Sequence, residues 1–185
     1  MSLPLAQNPA SKFPEDLFAS DTFANPWWIA HTKSRHEKAL AHYLQSIGIH
    51  YFLPLFQKVQ ASRRRQRFSL IPLFSGYVFF CGDLKARYQA FKSNHIARVI
   101  DVNDQKKLIS ELQQIERAMN GPIPFYPFKI LKKGQRVRVK SGPLEGLEGK
   151  VSRKSGKHRL VLEVTMISQA VAIDIESEFV ESIDT

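Results

Sequence analysis

The stretch from Asn120 to Pro127 constrains the folding of this chain most, because it places one glycine and three prolines within eight residues. Glycine and proline end a helix, and proline also interrupts a strand ladder because it has no backbone N–H to donate. The chain has 185 residues, which is enough for two small domains. The sequence therefore predicts a first domain over residues 27–120, a linker over residues 121–129 and a second domain over residues 130–185.

Residues 1–26 differ in composition from both predicted domains. They contain four prolines among Ser, Asn, Ala and Asp and show no sustained hydrophobic periodicity, which is typical of a flexible tail. They also lack the basic start and apolar run of a signal peptide. No apolar run in the chain approaches the ~20 residues needed to cross a bilayer. We therefore expect a cytoplasmic protein that does not contact a membrane.

Strand and helix patterns alternate in the first predicted domain. Trp27–Ala30 is short, apolar and aromatic-rich, which is typical of a buried strand. Ser34 and Glu37 have the spacing of a capping box, and the apolar positions that follow recur at helical intervals, at Leu40, Tyr43, Leu44 and Ile47. The order over the domain is β-α-β-β-α-β-α. It favours an α+β fold in which helices pack on a largely antiparallel sheet.

The second predicted domain has a different pattern. Arg136–Lys140 alternates strictly between charged and apolar residues, Ser141–Pro143 has the composition of a turn, and β-branched runs follow. About five short strands fit in this length. A small all-β barrel is the expected fold because closure removes exposed strand edges.

The charge is concentrated on the first domain. The whole chain carries a formal net charge of +10, and residues 27–100 hold twelve Lys and Arg against two acids. Such a field favours a polyanionic partner or an acidic protein surface. Two groups are candidates for nucleic-acid binding, one near the start of the first helix and one in a loop or hairpin: Lys33, Arg35, His36 and Lys38, and Arg63, Arg64, Arg65 and Arg67. Charge runs are often only solvated, and this alternative is stronger for the second group.

Chemistry by a metal, a cofactor or a nucleophile has little support in the sequence. Cys81 is the single cysteine, and the six histidines are scattered without metal-ligand spacing. No histidine lies in a constellation with a serine or cysteine nucleophile. We therefore expect no catalytic residue, no metal and no cofactor, and a protein that is not an enzyme.

The start of the second domain resembles a KOW motif. The resemblance rests on Gly134–Val139 followed by Ser141–Val151. The motif residues are glycines that supply positive φ or close chain approach, and a proline that fixes the turn: Gly142, Pro143, Gly146 and Gly149. KOW modules also occur in ribosomal proteins. An RNA-binding KOW protein of the ribosome is therefore the alternative to the function inferred next.

The first domain resembles the N-terminal domain of the NusG family of transcription elongation factors. Trp27–Glu37 is similar to the opening of that domain, and Phe74–Phe79 is similar to its Phe-Pro-Gly-Tyr-Val strand, with Ser75 in place of proline. The compact form resembles specialised, RfaH-like antiterminators. The resemblance implies a monomer that binds the clamp helices of RNA polymerase, contacts nontemplate or upstream DNA, and suppresses pausing or termination. It leaves open whether the KOW domain recruits ribosomal protein S-ten, Rho or neither.

The resemblance assigns four aromatic residues to the polymerase interface: Trp28, Phe74, Tyr77 and Phe79. The alternative is that they are ordinary sheet core. Because neighbouring strand residues point to opposite faces, Tyr77 and Phe79 share one face while Val78 and Phe80 share the other. One set can then form the core and the other the interface.

Overall fold

The structure, a computed structural model, describes residues 7–18, 25–61, 66–128, 134–154 and 157–183. Residue contacts divide the chain into two compact units, Met1–Gln105 and Lys106–Thr185. Of the predicted basic run, Arg63, Arg64 and Arg65 lie outside the described residues, and the side chain of Arg67 is also outside them.

The first unit is an α+β fold, as the sequence predicts. Its described elements are β1 (Lys12–Phe13), β2 (Trp27–Thr32), α1 (Glu37–Ser46), β3 (His50–Phe52), β4 (Leu55–Ala61), β5 (Gln66–Pro72), β6 (Tyr77–Cys81), α2 (Leu84–Lys92) and β7 (Ile96–Asp101). Five strands form an antiparallel sheet in the order β1-β3-β6-β2-β7. Strands β4 and β5 form a separate hairpin, which confirms the predicted loop or hairpin.

Helix α1 differs from its prediction at both ends. His36 is the N-cap residue and its side chain makes no capping hydrogen bond, so the predicted Ser34 capping box is wrong. Ile47 lies beyond the last helical residue and is 39% exposed. Ala41 takes its place in the buried face, beside Leu40 and Leu44. At α2, by contrast, the Asp83 carboxylate accepts a hydrogen bond from the Ala86 N–H at 2.8 Å and caps the helix.

The two faces of the five-stranded sheet have different coverings. One face, here called the helix face, includes Ala30, Val78 and Phe80, which pack in one buried cluster with α1 and α2 residues such as Leu40 and Ala90. The other face of the sheet is here called the aromatic face. It carries the residues that alternate with the first set along the strands and that pair with one another across the sheet: Trp27, Ile29, Phe52, Phe79 and Cys81. This arrangement follows from the two-residue period of a strand.

An N-terminal segment, residues 7–18, is part of the first unit, and the predicted flexible tail over residues 1–26 is therefore wrong for these residues. Strand β1 pairs with the edge of the sheet at β3, with Lys12 opposite Phe52. Leu17 is fully buried. The segment has no periodicity of its own because its structure depends on pairing with a strand that follows much later in the chain.

The second unit is β-rich, as predicted. It contains nearly all of α3 (Gln105–Asn120), followed by β8 (Phe125–Phe128), β9 (Gln135–Val139), β10 (Glu148–Lys154), β11 (Lys157–Val164), β12 (Gln169–Ile175) and β13 (Val180–Ser182). The six strands form an antiparallel sheet in the order β13-β9-β10-β11-β12-β8. Strand β8 lies within the segment that the sequence predicts as a linker. Helix α3, predicted to end the first domain, clusters with the second unit.

Helix α3 is joined to the second unit's loops by a row of polar side chains spaced three residues apart. Glu111 accepts hydrogen bonds from the N–H and hydroxyl of Thr165. Gln114 accepts from the Glu148 N–H at 2.7 Å. Arg117 donates to the Glu145 carbonyl at 2.5 Å. Burial raises the pKa of Glu111, and the hydrogen bonds from Thr165 oppose the shift.

Neither a membrane span nor a metal cluster occurs in the part of the chain that the structure describes. No helix there is long and apolar enough to cross a bilayer. No group of three or more His, Cys, Asp and Glu side chains there could hold a metal ion.

Candidate functional site

The Phe74–Tyr77 turn precedes β6 and is fixed by hydrogen bonds to two other elements. The Thr32 N–H at the end of β2 donates to the Gly76 carbonyl at 2.8 Å. The Gly76 N–H donates to Glu37 Oε1, at the start of α1, at 2.7 Å. Glu37 is only 6% exposed, and Gly76 has a φ of +83° that favours glycine. The turn is therefore held in one conformation by a buried carboxylate.

Three of the four predicted polymerase-binding residues belong to this turn and strand, and they differ in accessibility. Phe74 and Phe79 are 1% and 0% exposed, and their rings meet edge to face with centroids 6.0 Å apart. Tyr77 is half-buried, and its ring is tilted against His31 with centroids 5.1 Å apart. In this structure Phe74 and Phe79 are core residues, and Tyr77 is the member of the three that reaches the surface.

Trp28, the fourth residue, lies on the other face of the sheet. It is half-buried, and its indole Nε1–H donates to the Gly82 carbonyl at 3.1 Å. The guanidinium of Arg87, on α2, lies 4.9 Å from the centre of the Trp28 ring. Trp28 is paired with Phe80, whose side chain lies on the helix face. The structure therefore separates Trp28 from Tyr77 and Phe79, which lie on the opposite face.

The predicted basic group near α1 has two exposed members in the β2–α1 loop. Lys33 and Arg35 are exposed. Lys33 Nζ donates to Asn94 Oδ1 at 2.6 Å, which ties the loop to the turn between α2 and β7. Arg35 has a φ of +62°. These two cations remain accessible to a ligand at the surface of the first unit.

His36 and Lys38, predicted in the same group, are engaged by the chain itself. His36 Nδ1 lies 2.9 Å from His95 Nδ1. Burial, His36 and Lys33 lower the pKa of His95, in that order of size. Lys38 Nζ donates to Asn8 Oδ1 at 2.6 Å and to the Leu70 carbonyl at 2.5 Å. Burial lowers the pKa of Lys38 and the Glu37 carboxylate opposes the shift. Lys38 therefore links the N-terminal segment to β5 and is less available than Lys33 or Arg35.

The predicted KOW segment comprises β9, the first part of β10 and the connection between them. Gly142 and Gly146 have φ values of +91° and +80°, which confirms the predicted turns. A Cβ placed on Gly149 would lie 2.5 Å from the Val161 carbonyl oxygen, which confirms the predicted close approach. Pro143 is exposed. The turn directs the buried side chains of Leu144 and Leu147 into the second unit.

Cross-strand ion pairs join the basic and acidic parts of the second unit. Arg138 pairs with Glu148 at 2.6 Å, and Lys150 pairs with Glu163 at 2.9 Å. Arg159 pairs with Asp174 at 3.1 Å. Pairs near the surface, such as Arg138 with Glu148, contribute little stability because water screens them. Their consequence is electrostatic: several cations of this unit are locally neutralised, whereas Lys33 and Arg35 have no carboxylate partner within the described residues.

Two contributors to the site were missed by sequence reasoning. Glu37 was interpreted as a capping-box residue, yet its carboxylate binds a backbone N–H 39 positions away. The N-terminal segment was interpreted as a tail, yet Asn8 binds Lys38. Neither contact has a local signal, although an acidic residue in an otherwise basic stretch was a clue to the role of Glu37.

Comparison with known proteins gives one family match. The family described as "Transcription termination factor nusG" matches residues 25–130, which is more than half of the chain. The matched region contains the Phe74–Tyr77 turn, Lys33 and Arg35. No curated protein sequence matches the chain.

Two solved structures are similar at low identity. A structure of Thermotoga maritima NusG that concerns its domain interaction is 17% identical and has a TM-score of 0.46. The match covers 88% of this chain and 99% of that one. One chain of the MjSpt4:Spt5 complex, in conformation B, is 17% identical with a TM-score of 0.27. That match covers 86% of this chain and 97% of the other.

Proposed function

This chain belongs to the NusG family of transcription elongation factors, and we propose that it binds the clamp helices of RNA polymerase and suppresses pausing or termination. The family acts without catalysing a reaction, and the proposal includes that this chain is not an enzyme. The proposal includes the finer interpretation that the chain is a specialised, RfaH-like paralogue.

The observation that carries the proposal is the fixed turn that presents Tyr77. The turn lies inside the family match, and its backbone is held by Glu37 and Thr32. A half-exposed aromatic side chain on a rigid backbone is a typical binding anchor, because little conformational entropy is lost when it is buried. Phe74 and Phe79 support it from the core.

Replacing Tyr77 tests the proposal directly. We expect Tyr77→Ala to weaken binding to RNA polymerase by about 2 kcal/mol, or roughly thirtyfold, because interface aromatics concentrate binding energy. Tyr88→Ala is the matched control, since Tyr88 is an exposed tyrosine of α2. The measurement is an equilibrium pull-down with purified polymerase at two salt concentrations.

The proposal would be overturned by unchanged polymerase affinity in a folded Tyr77→Ala protein. Capture of ribosomal RNA in the absence of polymerase would instead support the alternative, an RNA-binding KOW protein of the ribosome.

The proposal extends to nontemplate or upstream DNA through the exposed cations of the β2–α1 loop. Lys33 and Arg35 are the strongest candidates, whereas Lys38 and His36 are engaged by other residues. Backbone contacts of this kind position DNA without reading its sequence, and they weaken as salt increases. The basic run Arg63, Arg64, Arg65 and Arg67 stays a proposed second contact.

Removing the two exposed cations tests the DNA contact. We expect Lys33→Ala with Arg35→Ala to reduce pause suppression on a paused template more than it reduces polymerase recruitment. Lys85→Ala, which removes an exposed charge on α2, is the control. Equal pause suppression by the double variant and the parent at matched occupancy would contradict the contact.

The remaining expectations belong to the same proposal. The KOW segment, with Gly142, Pro143, Gly146 and Gly149 in its turn, would recruit ribosomal protein S-ten or Rho. The functional division would follow residues 27–120 and 130–185 with the linker 121–129 between them. The protein would act as a cytoplasmic monomer.

A further inference from the structure

The N-terminal segment lies over part of the aromatic face of the first sheet. The ring of Phe18 stacks on Trp27 with centroids 5.8 Å apart and planes within 2° of parallel. The same ring meets Phe52 edge to face at 5.1 Å. Leu17 is fully buried. The segment therefore places the Phe18 ring on the face to which Phe79 belongs.

The centre of the aromatic face is apolar, and Phe52 and Phe79 are almost fully buried there. Its central residues are uncharged and apolar, and Phe52 is paired in register with Phe79. By strand alternation, Tyr77 lies on the same face as Phe79. The helix face is already covered by α1 and α2. A partner that uses Tyr77 therefore approaches the side of the sheet on which Phe18 lies.

The N-terminal segment is attached by backbone pairing and by side-chain contacts, among them the Asn8–Lys38 hydrogen bond and the stack of Phe13 on Tyr51. Strand β1 contributes two residues, and the Leu53 N–H donates to the Ser11 carbonyl at 2.7 Å. The Tyr51 hydroxyl donates to the Ala10 carbonyl at 3.0 Å, and burial raises the pKa of Tyr51 to about 12, so this donor stays protonated. Phe13 and Phe18 are only half-buried. Contacts made by a half-buried side chain such as Phe18 open at lower free energy than contacts within the core.

We propose that the N-terminal segment occupies an interaction surface on the aromatic face, and that an apolar helix of the partner binds there by displacing Phe18. This inference rests on the proposed function, which identifies the partner as the polymerase clamp helices. Trp27 and Phe52 then exchange one set of apolar contacts for another. The segment competes with the partner because both cannot cover the same rings.

The effect of this competition on the affinity for the partner can be measured. A segment that is closed about ten times as often as it is open weakens the apparent affinity of the partner about tenfold. Weakening the closed state therefore strengthens partner binding. This sign is opposite to the one expected of a residue that contacts the partner directly.

The experiment uses the full chain, the Phe18→Ala variant and a peptide that reproduces the polymerase clamp helices. We expect Phe18→Ala to bind the peptide about tenfold more tightly than the parent. Glu15→Ala is the matched control, because Glu15 is exposed in the same segment, and its affinity should equal that of the parent. Hydrogen exchange of the Leu53 amide, measured on the parent, should accelerate when the peptide binds, because its acceptor is Ser11.

The outcomes separate this inference from the proposed function. Peptide binding that leaves Leu53 exchange unchanged and is not strengthened by Phe18→Ala would overturn the displacement while supporting the proposed function. Absence of peptide binding in the parent and in Phe18→Ala would overturn both. The exchange measurement needs no variant, so the inference stays testable even where Phe18→Ala fails to fold.

Discussion

The two faces of the first sheet are built from alternate residues of the same strands, yet they are covered in different ways. The helix face packs Val78 and Phe80 against α1 and α2 in one aliphatic and aromatic cluster. The aromatic face pairs Phe79 with Phe52 and Phe74, and Phe18 of the N-terminal segment adds a further ring. Helices α1 and α2, of ten and nine residues, cover the helix face. Strand β1 of the N-terminal segment pairs over two residues only.

This difference indicates which face stabilises the fold and which is suited to exchange partners. Removing a helix from its face exposes an entire core cluster, which is costly in free energy. Removing Phe18 from the aromatic face uncovers parts of the Trp27 and Phe52 rings. Strand alternation thus divides one short sequence, Tyr77–Phe80, between the aromatic face and the helix face.

The largest effect is expected on the helix face. Phe80→Ala removes a fully buried ring from the cluster and should lower the free energy of unfolding by about 4 kcal/mol, since it leaves a cavity. Polymerase affinity per folded molecule should stay unchanged. Urea unfolding monitored by tryptophan fluorescence, with both tryptophans in the first unit, measures the loss.

A Phe80→Ala protein as stable as the parent would contradict this comparison, because the helix face would then not be the face that stabilises the fold. Phe18→Ala is the matched substitution on the aromatic face. It should cost less stability, because Phe18 is half-buried.

A smaller effect is expected at the Phe74–Tyr77 turn, which precedes β6, a strand with side chains on both faces. Glu37→Ala removes the acceptor of the Gly76 N–H and should lower the free energy of unfolding by about 2 kcal/mol, because a buried donor is left unpaired. Glu37→Gln keeps an acceptor oxygen and is the control. Polymerase binding should weaken in Glu37→Ala as the position of Tyr77 loosens. Equal stability of Glu37→Ala and Glu37→Gln would contradict the role of the hydrogen bond.

The sequence predicted features whose causes are local. Strand alternation placed Tyr77 and Phe79 together, and the glycines of the KOW segment marked turns that have positive φ at Gly142 and Gly146. Each depends on the conformational preferences of a few neighbouring residues. The order of strands and helices in the first unit followed from the same preferences.

The features that were missed depend on contacts between distant residues. Phe13 and Tyr51 stack although 38 positions separate them, so the N-terminal segment could not be recognised from its composition. Lys38 was grouped with exposed cations, yet its acceptors are Asn8 and Leu70. Burial of Phe74 and Phe79 likewise depends on ring contacts that no periodicity encodes. Local patterns therefore predict the helices and strands, whereas contacts between distant residues determine which side chains are accessible.

The smallest effect is expected at Trp28, which tests whether the two faces are independent. Trp28→Phe removes the hydrogen bond from Nε1 to the Gly82 carbonyl and part of the surface beneath Arg87. The free energy of unfolding should fall by about 1 kcal/mol, the usual net contribution of one hydrogen bond. Polymerase affinity should stay at the parental value because Trp28 lies on the helix face, away from Tyr77. Thermal unfolding and the polymerase pull-down measure the two quantities, with Tyr88→Phe as a control for an aromatic change on α2. A loss of affinity as large as that of Tyr77→Ala would return Trp28 to the binding surface and show that both faces take part in recognition.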